Sequence, residues 1–202
     1  MLNPGTSLLL GTRNPGKIHE LKLILGDLNF ELHSLQEFEG VEVPEESEET
    51  YAGNAILKAQ FYARATGMTA LADDSGLEVE ALGGAPGVLS ARYAGDSATD
   101  ADRRELLLKE ITRTGSENRV ARFVCAIAVA AADGDVLNVS EGICPGSITF
   151  APRGESGFGY DPLFVPDGYT QTFAELSDEV KNHLSHRARA LLKLREFLKE
   201  SV

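Results

Sequence analysis

Apolar positions change their period several times along this chain. Ser7–Leu10 is a short apolar run, the mark of a buried strand, and it stops at a Gly/Pro-rich turn over 11–16. Ile18, Leu21 and Leu25 then recur at helical spacing, with Gly26 as the stop. A second helix is expected from about Thr50 to Thr66. Ala52, Ala55, Ile56, Ala59 and Ala63 give it a small apolar face, and Asn54 and Lys58, four apart, share another. Thr69–Ala72 reads as a short strand that delivers Asp73-Asp74-Ser75-Gly76 at its C-terminal end. Residues 83–95 read as an ordered loop and 99–114 as a helix. Val120–Ala131 and Val136–Phe150 read as the strands of a hairpin around Asp133-Gly134-Asp135. A second glycine-rich stretch, Gly154–Pro162, leads into Leu163-Phe164-Val165. One last helix is expected from near Ser177 to the C-terminus, burying Leu184, Ala188, Leu191, Leu192 and Leu198. Strands interleaved with helices, plus one long hairpin, predict a mixed α/β sheet.

Composition narrows this picture without changing it. With 202 residues, 43% apolar and 25% charged, the chain fits one soluble globular domain of moderate size, or one domain with a smaller lobe. A net charge of -12 argues against binding along a nucleic-acid backbone, which needs clustered positive charge. It leaves room for a small phosphorylated ligand held by a few Lys, Arg or backbone N–H groups. Cys125 and Cys144 have no metal-type spacing, as expected of a reduced cytosolic protein. Neither a signal peptide nor a membrane span is visible, so the cytoplasm is the expected compartment.

Five stretches carry candidate chemistry. Gly11-x4-Gly16-Lys17 nearly matches a phosphate-cradling P-loop, but Ile18 replaces the hydroxyl residue that would bind magnesium. What survives is a turn whose small residues admit a polyphosphate near a helix N-terminus. Asp73-Asp74 supplies adjacent carboxylates, suited to a hard cation or to a general base. The acidic run at 45–49 reads mainly as solvated surface, Glu48 and Glu49 above all. Ser156–Pro162 combines glycines with Phe158 and Tyr160, which can stack on a planar base. Lys181 lies four residues before Ser185-His186-Arg187 on the expected last helix. Each signal alone has an ordinary structural explanation. Their joint appearance in one order does not.

Taken together, these residues resemble the inosine triphosphate pyrophosphatase family from Leu8 to Leu192. The matching blocks are Thr12-x-Asn14-x-x-Lys17, Asn54-Ala-Ile-Leu-Lys58-Ala and Ala72-Asp-Asp-Ser-Gly76, then Leu82–Tyr93, Gly157-Phe-Gly-Tyr-Asp-Pro162 and Ser185-His-Arg187. The family's usual Thr-Gly-Asn stands as Thr12-Arg13-Asn14 here. The resemblance implies a mixed, elongated central β-sheet flanked by helices, forming two lobes with the active-site cleft between them. It also implies hydrolysis of dITP, ITP, XTP and dXTP to monophosphate and pyrophosphate, with Mg2+ as cofactor and a homodimer as the assembly. Thr12, Arg13, Asn14, Pro15, Gly16 and Lys17 would wrap the triphosphate, with Lys58 adding positive charge. Asp74 would be the catalytic group and, with Glu46, a metal ligand, adjacent Glu45 being the competitor for that place. Ser75 would contact the ligand. Phe158, Gly159, Tyr160, Asp161, Lys181, His186 and Arg187 would close on the purine and read its 6-keto edge.

Three other readings are weaker. The related septum-inhibition (Maf-like) pyrophosphatases share the general fold, but the Phe158–Asp161 and His186–Arg187 blocks argue against them. A catalytically dead nucleotide sensor would not need Glu46, Asp74 and both lysines. Ile18 disfavours an ATP-driven P-loop machine.

Overall fold

The computed structural model describes residues 5–200. Its strands are β1 (Ser7–Leu10), β2 (Glu31–Ser34), β3 (Thr69–Val79), β4 (Val120–Ala130), β5 (Val136–Ile148) and β6 (Phe164–Pro166). The helices are α1 (Pro15–Leu25), α2 (Tyr51–Thr66), α3 (Asp100–Arg113), α4 (Asp178–Leu184) and α5 (His186–Glu200). The strands form one six-stranded sheet in the order β2-β1-β3-β4-β5-β6. It is mixed: β1 runs parallel to β2 and β3, whereas β5 and β6 are antiparallel. The parallel pairs demand helical crossovers, which α1 and α2 supply. No helix among the described residues is long and apolar enough to cross a membrane.

The chain divides into two compact units. The first holds the residues up to Asp74, Cys125–Gly142 and those from Arg187 onward. Its core joins Leu8, Leu10, Leu71, Ile127 and Val129 of the strands to Leu21 and Leu25 of α1 and Ala190, Leu191, Leu194 and Leu198 of α5. The second unit holds Ser75–Val124 and Ile143–His186. Here Leu77, Val79, Leu107 and Ile111 pack with a cluster of rings, among them Phe123 and Phe164 with centroids 4.6 Å apart. Each large side chain so buried contributes about 1.5–3 kcal/mol, which offsets the entropy of ordering the chain.

Three expectations are corrected. The strand expected to stop at Ala72 continues to Val79, so Asp73 and Asp74 lie within β3 rather than after it. Strand residues alternate faces, and each carboxylate finds a different cationic partner, so neither has to leave the sheet for water. The single last helix is two. Ser185 adopts extended geometry, φ -65 and ψ 157, between α4 and α5, so Lys181 and Ser185 do not share one helical face. The break also resets the buried stripe: Ala190 and Leu194 join Ala188, Leu191 and Leu198 inside, Leu184 is half-buried and Leu192 is exposed. Residues 201 and 202, expected in that helix, lie outside the described residues.

The corrected stripe is open to test. Leu191→Ala, at a fully buried site, is expected to destabilise by about 2–5 kcal/mol in denaturant unfolding. Leu192→Ala, one residue on, is expected to shift stability by less than about 0.5 kcal/mol. Equal effects would refute this register.

Candidate functional site

Gly11 ends β1 in contact with its neighbours. Its N–H donates to the Leu71 carbonyl at 2.6 Å, and a Cβ there would lie 2.7 Å from both that oxygen and the Tyr62 ring. The glycine is therefore required by the sheet itself. Asn14 caps α1, its Oδ1 accepting from the N–H groups of Gly16 at 2.9 Å and Lys17 at 3.2 Å. Thr12 Oγ1 accepts from the Asn14 N–H at 3.2 Å. The turn's first amides are thus satisfied by its own side chains, unlike the open amides of a P-loop. Arg13 points its Nη2 to the Val41 carbonyl at 2.6 Å and so ties this turn to the segment that carries the acidic run. Pro15, at the first turn of α1, is exposed.

Lys17 reaches from α1 to Asp73, with Nζ 3.0 Å from Oδ2. Arg187 approaches the same carboxylate, its Nε donating to Oδ2 at 3.2 Å while its Nη1 donates to Glu20 at 2.6 Å. Asp73 and Arg187 are 4% and 2% exposed, so this is a buried charge network. Burial alone would raise the Asp73 pKa, but Lys17, Arg187 and Lys58 outweigh it and hold the carboxyl below its ordinary range. Burial likewise works against the charged Arg187, and Asp73 and Glu20 more than restore it.

Asp74 faces a different set. Asn54 Nδ2 donates to Asp74 Oδ2 at 3.1 Å and to the Glu48 carbonyl at 3.2 Å, while its Oδ1 accepts the Glu48 N–H at 3.0 Å. Lys58 Nζ donates to Glu46 Oε1 at 2.5 Å and lies 3.8 Å from Asp74 Oδ1. Burial raises the Asp74 pKa, and the nearby Glu46 and Asp73 add to it against Lys58 and Asn54. Burial disfavours the charged Lys58, yet Asp74, Asp73 and Glu46 leave its pKa above the ordinary lysine value. Glu45, Glu48 and Glu49 are exposed, whereas Glu46 turns inward to Lys58. Ser75, next in β3, is half-buried.

In the second unit the stretch 156–160 is an irregular loop that runs into a 3-10 turn at Asp161–Leu163 and is fastened by polar contacts. Asp161 Oδ2 accepts the Phe158 N–H at 2.9 Å and Lys181 Nζ at 2.8 Å. Lys181 also sits 4.8 Å from the centre of the half-buried Phe158 ring, a cation–π distance. Gly159 is bonded to α3 through its own N–H and carbonyl. The Tyr160 hydroxyl donates to the Ser90 carbonyl at 3.0 Å, and burial raises its pKa. His186 stacks on Phe123, centroids 4.6 Å apart and planes 11° from parallel.

The structure thus gathers Lys17, Lys58, Glu46, Asp74 and Arg187 in the first unit and Phe158–Asp161 with Lys181 and His186 in the second. Adjacent His186 and Arg187 serve different partners: one an aromatic ring, the other two carboxylates. Asp73 was marked in the sequence only as one of a carboxylate pair, Asn54 only as part of a matching block, and Glu20 not at all. Their signals were an acidic residue beside Asp74, an amide one turn before Lys58, and a glutamate next to the buried Leu21. Cys125 is buried, and burial first, then Asp73, pushes its thiol to about 12, so it is no nucleophile. No three His, Cys, Asp or Glu side chains among the described residues group as metal ligands.

Known proteins resemble this chain in sequence and in fold. Residues 8–197 match the Ham1 family. The dITP/XTP pyrophosphatase of Desulforamulus reducens is 48% identical over 191 residues, 95% of this chain and 94% of that protein. An enzyme of the same name from Thermus thermophilus is 48% identical over 196 residues, covering 97% and 93%. A solved HAM1 protein from Coxiella burnetii superimposes with a TM-score of 0.90 at 41% identity, over 96% of this chain and 99% of that one.

Removing Arg187 leaves two buried carboxylates short of a cation. Arg187→Ala is expected to lose about 3–5 kcal/mol of stability in denaturant unfolding at pH 7. The lowered Asp73 pKa has its own signature. Its contribution is complete above the ordinary carboxylate value of 3.8 and is lost as pH falls toward the folded value. Asp73→Asn should therefore be less stable than the parent at pH 7 and approach it below about pH 3. A gap that stays constant across that range would show that the ionisation of Asp73 contributes nothing.

Proposed function

The chain belongs to the Ham1 family, and from that premise we propose that it hydrolyses the non-standard purine nucleoside triphosphates dITP, ITP, XTP and dXTP to monophosphate and pyrophosphate. The observation that carries the reading is the convergence of Lys17 and Lys58 on the Asp73–Asp74 pair, with Glu46 bonded to Lys58. Two lysines beside ionisable carboxylates suit a polyphosphate bound together with a cation. The described chain works as one catalytic domain.

The donor set fits Mg2+. That ion is usually held by one or two carboxylates, with phosphates and water completing its shell. Glu46 and Asp74 supply two hard oxygen donors that share Lys58, and the raised Asp74 pKa reflects burial and crowding by negative charge. Glu46 and Asp74 would hold the ion, which when bound screens phosphate charge and makes a nearby water more acidic.

The protein's own groups do the rest. Asp74 accepts the proton of the attacking water, a role that a raised carboxyl pKa favours at neutral pH. Asn54 orients Asp74 and ties it to the acidic segment. Attack at the α-phosphorus breaks the α–β anhydride and releases pyrophosphate. Lys17 and Lys58 stabilise the charge that develops on the phosphate oxygens. The Thr12–Lys17 turn binds the triphosphate, chiefly through Lys17, since Asn14 occupies the first amides. Ser75 contacts the same ligand.

The purine stacks on Phe158 within the Phe158–Asp161 loop. Lys181, His186 and Arg187 read the 6-keto edge, Arg187 with part of its guanidinium engaged by Asp73 and Glu20. Adenine offers a 6-amino donor there and leaves those donors unpaired, which is how ATP is rejected. Guanine shares the keto group, so its rejection acts at the 2-amino position. The enzyme works in the cytoplasm as a homodimer and needs no nucleic acid or membrane partner. Sedimentation as a 21.7 kDa monomer would refute the dimer.

With Mg2+, the purified protein is expected to release pyrophosphate from ITP, dITP and XTP and to act far more slowly on ATP. Chelation of the divalent ion should stop turnover and restoring Mg2+ should recover it. Release of orthophosphate instead of pyrophosphate would sink attack at the α-phosphorus. Asp74→Asn should cut kcat by about 10²–10⁴-fold with a normal unfolding profile. Lys17→Ala and Lys58→Ala should each cost about 2–4 kcal/mol in kcat/KM.

A further inference from the structure

The stretch from Thr149 to Tyr160 has no regular secondary structure, so the position of Phe158 depends on what fastens its neighbours. Gly157 and Gly159 both have positive φ, +79° and +60°. Glycine reaches this region freely, which also means that an unfastened loop samples many conformations. At Gly157 a Cβ would fall 2.2 Å from Asp161 Oδ2, so the Asp161–Phe158 turn excludes any side chain there.

At Gly159 a Cβ would meet nothing within 4 Å. Its restraint comes from α3 instead. Asp100 Oδ2 accepts the Gly159 N–H at 2.7 Å, and Arg104 Nη1 donates to the Gly159 carbonyl at 2.7 Å. Residues 100 and 104 are one helical turn apart and share a face, so one turn of helix grips a single residue by both its backbone groups. The grip is firmly mounted. Asp100 Oδ1 is held by Arg103 at 2.5 Å, and Arg103 also donates to the Ala98 carbonyl at 2.6 Å. Thr99 and Asp102 form a capping box at the helix start, and Leu107 and Ile111 bury the other face.

We propose that Asp100 and Arg104 are positioning residues for purine binding: they hold Gly159, and through it set the ring of Phe158 before the nucleotide arrives. The proposal rests on the reading that the Phe158–Asp161 loop receives the base. Nothing in the sequence pattern marks this pair within the helix expected at 99–114. Preorganising the loop removes an ordering cost from base binding and leaves the phosphate groups untouched. Its signature is therefore a change in KM for nucleotides alone.

The test compares Arg104→Ala, Arg104→Lys and Phe158→Ala with the parent. The measurements are kcat and KM for ITP, the dissociation constant of IMP, the inhibition constant of inorganic tripolyphosphate and the unfolding midpoint. Arg104→Ala should raise KM for ITP and weaken IMP by about 3- to 10-fold, the size of one lost hydrogen bond. Its kcat should stay within about twofold and its tripolyphosphate constant should not move. Arg104→Lys, which keeps a donor, should recover most of the loss and guards against a folding defect in the alanine variant. An unchanged KM in Arg104→Ala overturns the clamp. So does an equal weakening of tripolyphosphate, which would mean damage beyond the base loop. If Phe158→Ala leaves KM for ITP unaltered, the base-loop reading itself fails. If Phe158→Ala raises KM and Arg104→Ala does not, only the clamp fails.

Discussion

Asp73 is a charge placed inside a sheet, and much of the first unit is arranged to keep it there. A buried carboxylate without partners would protonate or draw the strand apart, at a cost of several kcal/mol. Lys17 from α1 and Arg187 at the start of α5 meet it instead, and Glu20 takes the far side of the guanidinium. One ion network thereby joins α1, β3 and α5, elements far apart in sequence. The same helices share an apolar core with β1 and β4. The network fixes Lys17 on Asp73 while the core supplies the stability to hold it.

The two carboxylates of β3 show how alternation divides labour. Asp73 is bonded to Lys17 and Arg187 and kept ionised. Asp74, one residue on, meets Lys58, Glu46 and Asn54 and is left easier to protonate. Adjacent residues thus have pKa values displaced in opposite directions by their surroundings. That contrast is what a site needs when one carboxylate anchors cations and the other exchanges a proton. In the second unit the means are different. There backbone groups of a glycine-rich loop are bound by side chains, and Asp161 alone takes both the Phe158 N–H and Lys181. Charge sets the first cluster; the second depends on fixing an aromatic ring.

Much of this was legible in the chain. Periodicity placed β1, α1, α2, α3 and the β4–β5 hairpin within a residue or two: β1 is a continuous buried run, the helices each bury one face, and Asn14, Thr50 and Thr99 are side chains of the kind that start helices. Asp74, Lys17 and Lys58 stood out in the motifs and Glu46 through the family resemblance; the structure brings Lys58 to Glu46 and Asp74, and Lys17 to adjacent Asp73. What failed were the ends of β3 and the last helix. An acidic pair reads as a strand terminus when only its polarity is known, and Ser185 carries no Gly or Pro to announce a break.

The sequence by itself determined most of the element types, the mixed sheet and the family resemblance, because these follow from short-range period and local motif; the short edge strand β2 and the break at Ser185 carried no such signal. It could not determine partners. That Asp73 pairs with Arg187, 114 residues away, depends on two elements packed together by tertiary contacts. So does the meeting of Glu20 with Arg187, and the grip of Asp100 and Arg104 on Gly159. The Gly11–Lys17 turn shows both sides of this division. Its composition resembles a phosphate-binding turn, and only the folded chain showed that Gly11 is needed by the sheet, that Asn14 takes the first amides, and that Lys17 is aimed by Asp73. A charge's effect depends on what lies within a few ångströms of it, and that neighbourhood is written in the packing rather than in the order of residues.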